Sequence, residues 1–209
     1  MDELLDAIRQ GDAARVGALL DGDPSLLDGN GLLQSIYNNH AELVPLFLDR
    51  GHRLTIHEAA ALGDEARVRE LLDTDPSLLD SFGEDGFNAV GLAIFFRRPD
   101  VARMLIEKGA DVSAPARNAM KVAPLHAATT VGDREMVAML LARGADANAR
   151  QQLDYTPLHS AANRGDREMA QLLITNGAQA AAKATDGKTP ADVARERGFA
   201  ELADWLESL

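Results

Sequence analysis

The stretch YTPLHSAANRGD, Tyr155 to Asp166, sets His159 beside Thr156, Ser160 and Asp166. A histidine with hydroxyls and a carboxylate nearby is the raw material of nucleophilic or general acid–base catalysis. His126 lies in a near copy, APLHAATTVGD (Ala123 to Asp133), and His57 in TIHEAAALGD (Thr55 to Asp64). Such imidazoles could also ligate zinc, whose nitrogen ligands must each come within about 2.0–2.1 Å of the ion. The spacing argues against both chemistries. Pro124, Pro157 and Pro190 stand 33 residues apart, and a string repeated on a fixed period is architecture, whereas a site is assembled once. Equivalent residues on stacked helices lie about 8–10 Å apart, too far to share one ion.

The rest of the chemical inventory is bare. There is no cysteine, which excludes disulfides, thiolate zinc sites and cysteine nucleophiles. No phosphate-binding glycine loop, G-x-S-x-G or H-E-x-x-H string occurs. Acidic pairs such as Glu65 and Glu70 fall on helix faces expected to meet solvent. No catalytic residue, metal ligand or cofactor is expected, and the chain reads as a non-enzyme.

The elements that carry the histidines follow from the register of the repeat. Gly11, Asn39, Gly63, Arg97, Gly132, Gly165 and Gly198 mark equivalent positions, separated by 28, 24, 34, 35, 33 and 33 residues. Eight residues beyond each stand Leu19, Phe47, Leu71, Leu105, Leu140, Leu173 and Leu206. Seven copies of one unit therefore cover the chain. In the sixth, Thr156 suits an N-cap and Pro157 the first helical position. Gly165 ends that helix, and Asp166 can cap a second one carrying Met169, Leu172 and Leu173 at helical spacing. Gly177 ends it in turn. Helix pairs this short are unstable alone, so the units must stack and share a core.

The period, TPLHSAA and LLARGADANA (Leu140 to Ala149) together resemble ankyrin repeats. The fifth and sixth units match most closely, then the fourth and seventh. The third matches through TIHEAAALGD, and the first two by helix pattern and spacing alone. The resemblance implies an all-α repeat solenoid, with short β-hairpins, or fingers, linking the C-terminal repeats. It also implies that the histidine is structural, bonding the threonine and backbone of the turn; this role carries onto His126 and His159, and less directly onto His57, which has Thr55 where proline would stand. His40, beside the second marker, is read as structural, and His52 gives no signal. The resemblance is to ankyrin proteins of bacterial type, a source that the 17 Arg against 4 Lys also suggests.

Two departures stand out. The first spacings are too short for full hairpins. DGDPSLLD (21–28) recurs as DTDPSLLD (73–80), where Asp-Pro should stop a helix. Fingers are expected to begin around Phe82 to Phe87. The chain is read as one domain, 1–209: divergent acidic repeats over 1–83, the best-formed repeats over 84–183, and a capping repeat over 184–209. Leu4, Leu5 and Ile8 are expected to close one end of the stack, and Phe199 and Trp205 the other.

Members of that family grip proteins with finger tips and with the C-terminal end of each first helix, the palm. By register, the apolar members of that surface fall in repeats four to six: Phe87, Phe95, Phe96, Met120, Val122, Val131, Leu153 and Tyr155, with Arg97, Arg98 and Arg164 as a basic rim. Neighbouring helical residues point about 100° apart, so Phe95 and Phe96 cannot both centre on one core face. This surface is the expected partner site. The competing reading is that SAPARNAMKV (113–122) folds back over Phe87, Phe95 and Met120 as a local core. Tyr37 and Asn38 occupy the same palm position in the second repeat and are weaker candidates.

Charge supplies the alternative. The net charge is −12, and the whole excess lies in residues 1–85, with 18 acidic and 6 basic residues. This disfavours a nucleic-acid backbone as partner and suggests a solubilising face, or an inhibitor or immunity-type protein that blocks a basic partner. The acidic start MDELLDAIRQGD is unlike a signal peptide, and no apolar run is long enough to span a membrane. A cytoplasmic monomer is expected, binding another protein and neither nucleic acid nor membrane.

Overall fold

The computed structural model describes residues 1–209. Fourteen α-helices form seven consecutive pairs. They are α1/α2 (Asp2–Arg9, Ala13–Gly22), α3/α4 (Gly31–Tyr37, Val44–Leu48), α5/α6 (Ile56–Leu62, Glu65–Thr74) and α7/α8 (Ala89–Phe95, Pro99–Glu107). The series continues with α9/α10 (Pro124–Val131, Arg134–Ala142), α11/α12 (Pro157–Arg164, Arg167–Thr175) and α13/α14 (Pro190–Glu196, Ala200–Glu207). The odd-numbered helices pack on one another in sequence order, α1 on α3 through to α11 on α13, and make the continuous inner layer.

Each pair turns at its marker. All seven markers have positive φ, the glycines at 66–85°, and Asn39 and Arg97 at 61° and 57°. The left-handed turn is thus kept even where glycine is absent, at a steric cost of about 1–2 kcal/mol for a residue with a Cβ. Four aspartates follow the turn as N-caps of the second helix. Asp12, Asp64, Asp133 and Asp166 accept the N–H three residues on at 2.9–3.0 Å. Arg98 cannot cap this way, and Pro99 starts α8 without needing a donor satisfied.

The leucine ladder is buried in five of its seven positions: Phe47, Leu105, Leu140, Leu173 and Leu206. In the first and third units Leu20 and Leu72 are buried in place of Leu19 and Leu71. α2 and α6 end against Asp23-Pro24 and Asp75-Pro76, and bury Val16 with Leu20 and Val68 with Leu72, four residues apart on one face. The two Asp-Pro segments then fold alike. Asp23 and Asp75 have φ of −142° and −141°, each accepts the N–H and hydroxyl of the serine two residues on, and a 3-10 helix follows.

After the 3-10 helix the two modules diverge. Pro24 is seven residues from the start of α3, whereas Pro76 is thirteen from the start of α7. The additional residues build the first finger, closed by the Gly83 N–H donating to the Phe87 carbonyl at 2.8 Å and by a lone bridge between Phe82 and Asn88. Three more fingers close the same way: Ala116 to Val122, Gln151 to Tyr155 and Ala184 to Lys188, at 2.9–3.0 Å. None contains a strand. The expected β-hairpins take the form of bonded loops, and left-handed residues within them, Lys121, Leu153 and Asp154, interrupt any ladder.

Two cores result. One runs from Ile56 to Leu206; the other joins Leu4, Ile8, Leu32, Leu43 and Phe47 to Ala61 and Leu92. Leu5 is partly buried against the second core. At the far end Phe199 lies over Gly165, still 38% exposed, and Trp205 packs on the main core beneath the Arg167 guanidinium, 4.8 Å from its ring centre.

Candidate functional site

Two of the histidines tie their helix pairs to the finger that follows. His126 Nε2 donates to the Tyr155 carbonyl at 3.2 Å and His159 Nε2 to the Lys188 carbonyl at 3.1 Å. His159 Nδ1 accepts from the Thr156 N–H at 3.1 Å and its hydroxyl at 2.8 Å. Both imidazoles are fully buried, and burial lowers both pKa values, that of His126 to about 4. His126 departs from the threonine pairing because Ala123 stands at its N-cap, so its buried Nδ1 has no partner. Ala123→Thr, at nearly the backbone angles of Thr156, should satisfy this atom and stabilise the fold by about 0.5–1.5 kcal/mol. Urea titration reads the effect; an unchanged or lowered midpoint would contradict it.

His57 holds the Ser81 carbonyl at 3.1 Å, but α5 begins one residue later than the marker register implies. Thr55 is its N-cap, and Glu58 occupies the place that His159 takes in α11. Glu58 accepts the Thr55 N–H at 2.8 Å and pairs with His52 Nε2 at 3.0 Å, while His52 Nδ1 meets the Leu27 carbonyl at 2.8 Å. Hydrogen bonding to Glu58 raises the His52 pKa, outweighing burial. This buried pair gives His52 a role that a lone histidine in a loop does not announce in sequence. His40 pairs with Glu42 at 2.8 Å and covers Gly11. No group of three or more histidine, aspartate or glutamate side chains is arranged to hold a metal.

The expected partner residues divide into two groups. Phe95 and Phe96 meet edge-on with centroids 5.1 Å apart, and Tyr37 joins them at 6.3 and 5.1 Å. Phe95 is 46% exposed, while Phe96, Phe87 and Tyr37 are half-buried against the smaller core. On the finger tips Met120 and Leu153 are 46% and 62% exposed, and adjacent fingers are bonded through the Gln152 N–H to the Met120 carbonyl at 2.8 Å. Val122, Val131 and Tyr155 are half-buried against the main core, with the Tyr155 ring 4.9 Å from that of His159. Phe95 and Met120 thus stay open, and the segment 113–122 does not bury them.

Tyr37 reaches Phe95 and Phe96 across an entire repeat because the intervening palm residue is Ala61, which is fully buried. Its hydroxyl donates to Asp85 Oδ2 at 2.8 Å, and burial together with that carboxylate pushes the phenol pKa up. The arginine rim is partly committed. Arg98 Nε donates to the Ala61 carbonyl at 3.0 Å, Arg97 to Val131 at 2.8 Å and Arg164 to Thr130 at 2.9 Å. Each guanidinium neutralises the carbonyl end of a neighbouring palm helix, where positive charge is favoured. Arg97 and Arg164 remain exposed beyond these bonds.

Against known proteins, the profile described as Ankyrin repeats (3 copies) matches residues 32–116, 56–151 and 125–208. The chain is also similar to the transient receptor potential cation channel subfamily A member 1 homolog of Caenorhabditis elegans, at 31% identity over 117 residues. That match takes in 52% of this chain and 10% of the relative, so the chain spans about a tenth of that protein's length.

Proposed function

The chain belongs to the ankyrin repeat family, whose members generally mediate protein–protein interactions and are typically non-catalytic, and we propose that it binds another protein through the palm and finger tips of repeats four to six. The observation that carries this reading is the open aromatic group. Phe95, nearly half exposed, rests on Phe96 and Tyr37, and Met120 and Leu153 are exposed on the fingers. Aromatic anchors at the centre of a contact commonly dominate its binding energy. Arg97 and Arg164, each held by one bond to a carbonyl, are exposed preorganised polar groups of the same repeats. Val122, Val131 and Tyr155 support the surface from below, while Phe95, Met120 and Leu153 make contact. The proposal involves no nucleic acid, membrane or cofactor, and no helix is long and apolar enough to cross a membrane.

The test is affinity for a partner captured from source cells. Phe95→Ser combined with Phe96→Ser is expected to weaken binding by more than about 100-fold. Because Phe96 is half-buried, Phe95→Ser alone serves as the fold-neutral variant and should cost at least about tenfold. Wild-type affinity in Phe95→Ser, with circular dichroism unchanged, removes the palm from the contact.

The alternative, an acidic face blocking a basic partner, is favoured by the charge excess of residues 1–85. It predicts steep weakening as salt shortens the Debye length, from about 10 Å at 0.1 M to about 3 Å at 1 M. Contact through the aromatic palm is expected to change little.

A further inference from the structure

The four fingers are joined edge to edge by one repeated bond. In the second, third and fourth, the residue after the closing donor gives its N–H to the finger before it: Arg117 to the Gly86 carbonyl, Gln152 to Met120 and Thr185 to Leu153, at 2.7, 2.8 and 2.9 Å. The equivalent residue of the first finger is Glu84, which follows Gly83. Its N–H makes no hydrogen bond within the chain.

The cause lies in the connections. Fourteen residues separate α6 from α7, but only seven separate α4 from α5, too few to raise a finger. The place ahead of the first finger is therefore a cleft of about 260 Å³, shared between Asn30, Gln34 and His52 and the finger residues Phe82, Glu84 and Asp85. Four carboxylates line it, from Asp28, Glu58, Glu84 and Asp85, and no lysine or arginine does. Asp85 and Glu58 are bound to Tyr37 and His52, whereas Asp28 and Glu84 are exposed and make no ion pair within the chain.

We infer that this cleft receives an extended segment of a partner protein that stands in for the absent finger, with a backbone carbonyl accepting the Glu84 N–H and an Arg or Lys side chain facing Asp28 and Glu84. Addition of an extended peptide to an open edge draws affinity from main-chain bonds and specificity from the pockets beside them. Here the edge offers a main-chain bond already made three times in the same molecule, and the cleft offers the unpaired charges of Asp28 and Glu84. The inference rests on the protein-binding reading of the chain but not on its aromatic palm.

The turn makes a clean test possible. The Gly86 N–H donates to the Gly83 carbonyl at 2.9 Å, which places Glu84 second in a four-residue turn, where proline is favoured. Glu84→Pro removes the N–H and the charge and keeps the turn. Glu84→Gln removes the charge alone. The probes are fluorescein-labelled nonapeptides of alternating Thr and Val with Lys, Arg, Ser or Glu at the centre, titrated against the full chain. The Lys and Arg peptides should bind at least about tenfold tighter than the Ser peptide, with the Glu peptide weakest. Glu84→Gln should bind the Lys peptide less tightly, and Glu84→Pro should weaken it about a further tenfold, the worth of one hydrogen bond. In nitrogen-15 spectra of the wild type, the Glu84 amide should move most on addition of the Lys peptide. The inference is overturned if no peptide binds, if the central residue makes no difference, if Glu84→Pro and Glu84→Gln are equal, or if the Glu84 amide stays put. The palm reading is judged separately, since the Phe95→Ser variant should bind these peptides as the wild type does.

Discussion

Leu140→Ala is expected to lower the unfolding free energy by about 2–5 kcal/mol, while Thr130→Ala should leave it within about 0.5 kcal/mol. Leu140 is fully buried and belongs to the 37-residue core that joins five repeats. Truncation there removes transfer energy and leaves a cavity that short helices, held on both sides by neighbours, cannot easily close. Thr130 lies at the exposed end of the α9 palm, and only its backbone is engaged, accepting from Arg164. Because each repeat leans on its neighbours, the loss at Leu140 should be felt by the whole core, as one shifted transition. Urea melts of the two variants decide it; similar midpoints would break the register on which the surface assignment depends.

Acid should destabilise the fold through His126. Its pKa is lowered from 6.5 to about 4 by burial, so the neutral form is the folded form. A depressed folded pKa contributes stability that is complete above about 6.5 and is lost as pH falls toward about 4. The shift corresponds to about 3 kcal/mol. His159 is lowered by burial and acts in the same direction. His52, raised by Glu58, acts oppositely: its contribution is present at low pH and lost as pH rises through its folded pKa. The difference in stability between pH 7.5 and pH 4.5 should therefore shrink by about 2–3 kcal/mol in His126→Gln, carboxylate titration being common to both proteins. An equal pH dependence in the two proteins would show that His126 is not held neutral.

Most of the architecture was legible because the repeat imposes it many times over. A Gly-Asp turn, a leucine eight residues on and a proline every 33 residues are each weak signals alone and decisive in register. The misreadings fall where a local interaction overrides the period. At α5 the reciprocal bonds of Thr55 and Glu58 start the helix one residue late, and in α2 and α6 the buried leucine is the next one along, Leu20 and Leu72, on the face shared with Val16 and Val68. The surface was half legible. Register set out the expected palm, and the 100° helical step indicated that one phenylalanine must face outward. It could not reveal that Tyr37 crosses a repeat to reach it, because that contact depends on the smallness of Ala61. Nor could it separate Phe95 from Ala61, which the register places alike, two before the marker, and packing treats differently.

Hydrogen–deuterium exchange of the complex would locate the partner on the stack. Finger amides and the last turn of a palm helix exchange early in a free stack, so their protection is easily read. Slowed exchange is expected at residues 94–97, 117–122 and 151–155, with helices α10 and α12 unchanged. Protection confined to the outer helices, or to α1 and α2, with those three segments exchanging as in the free protein, would contradict it.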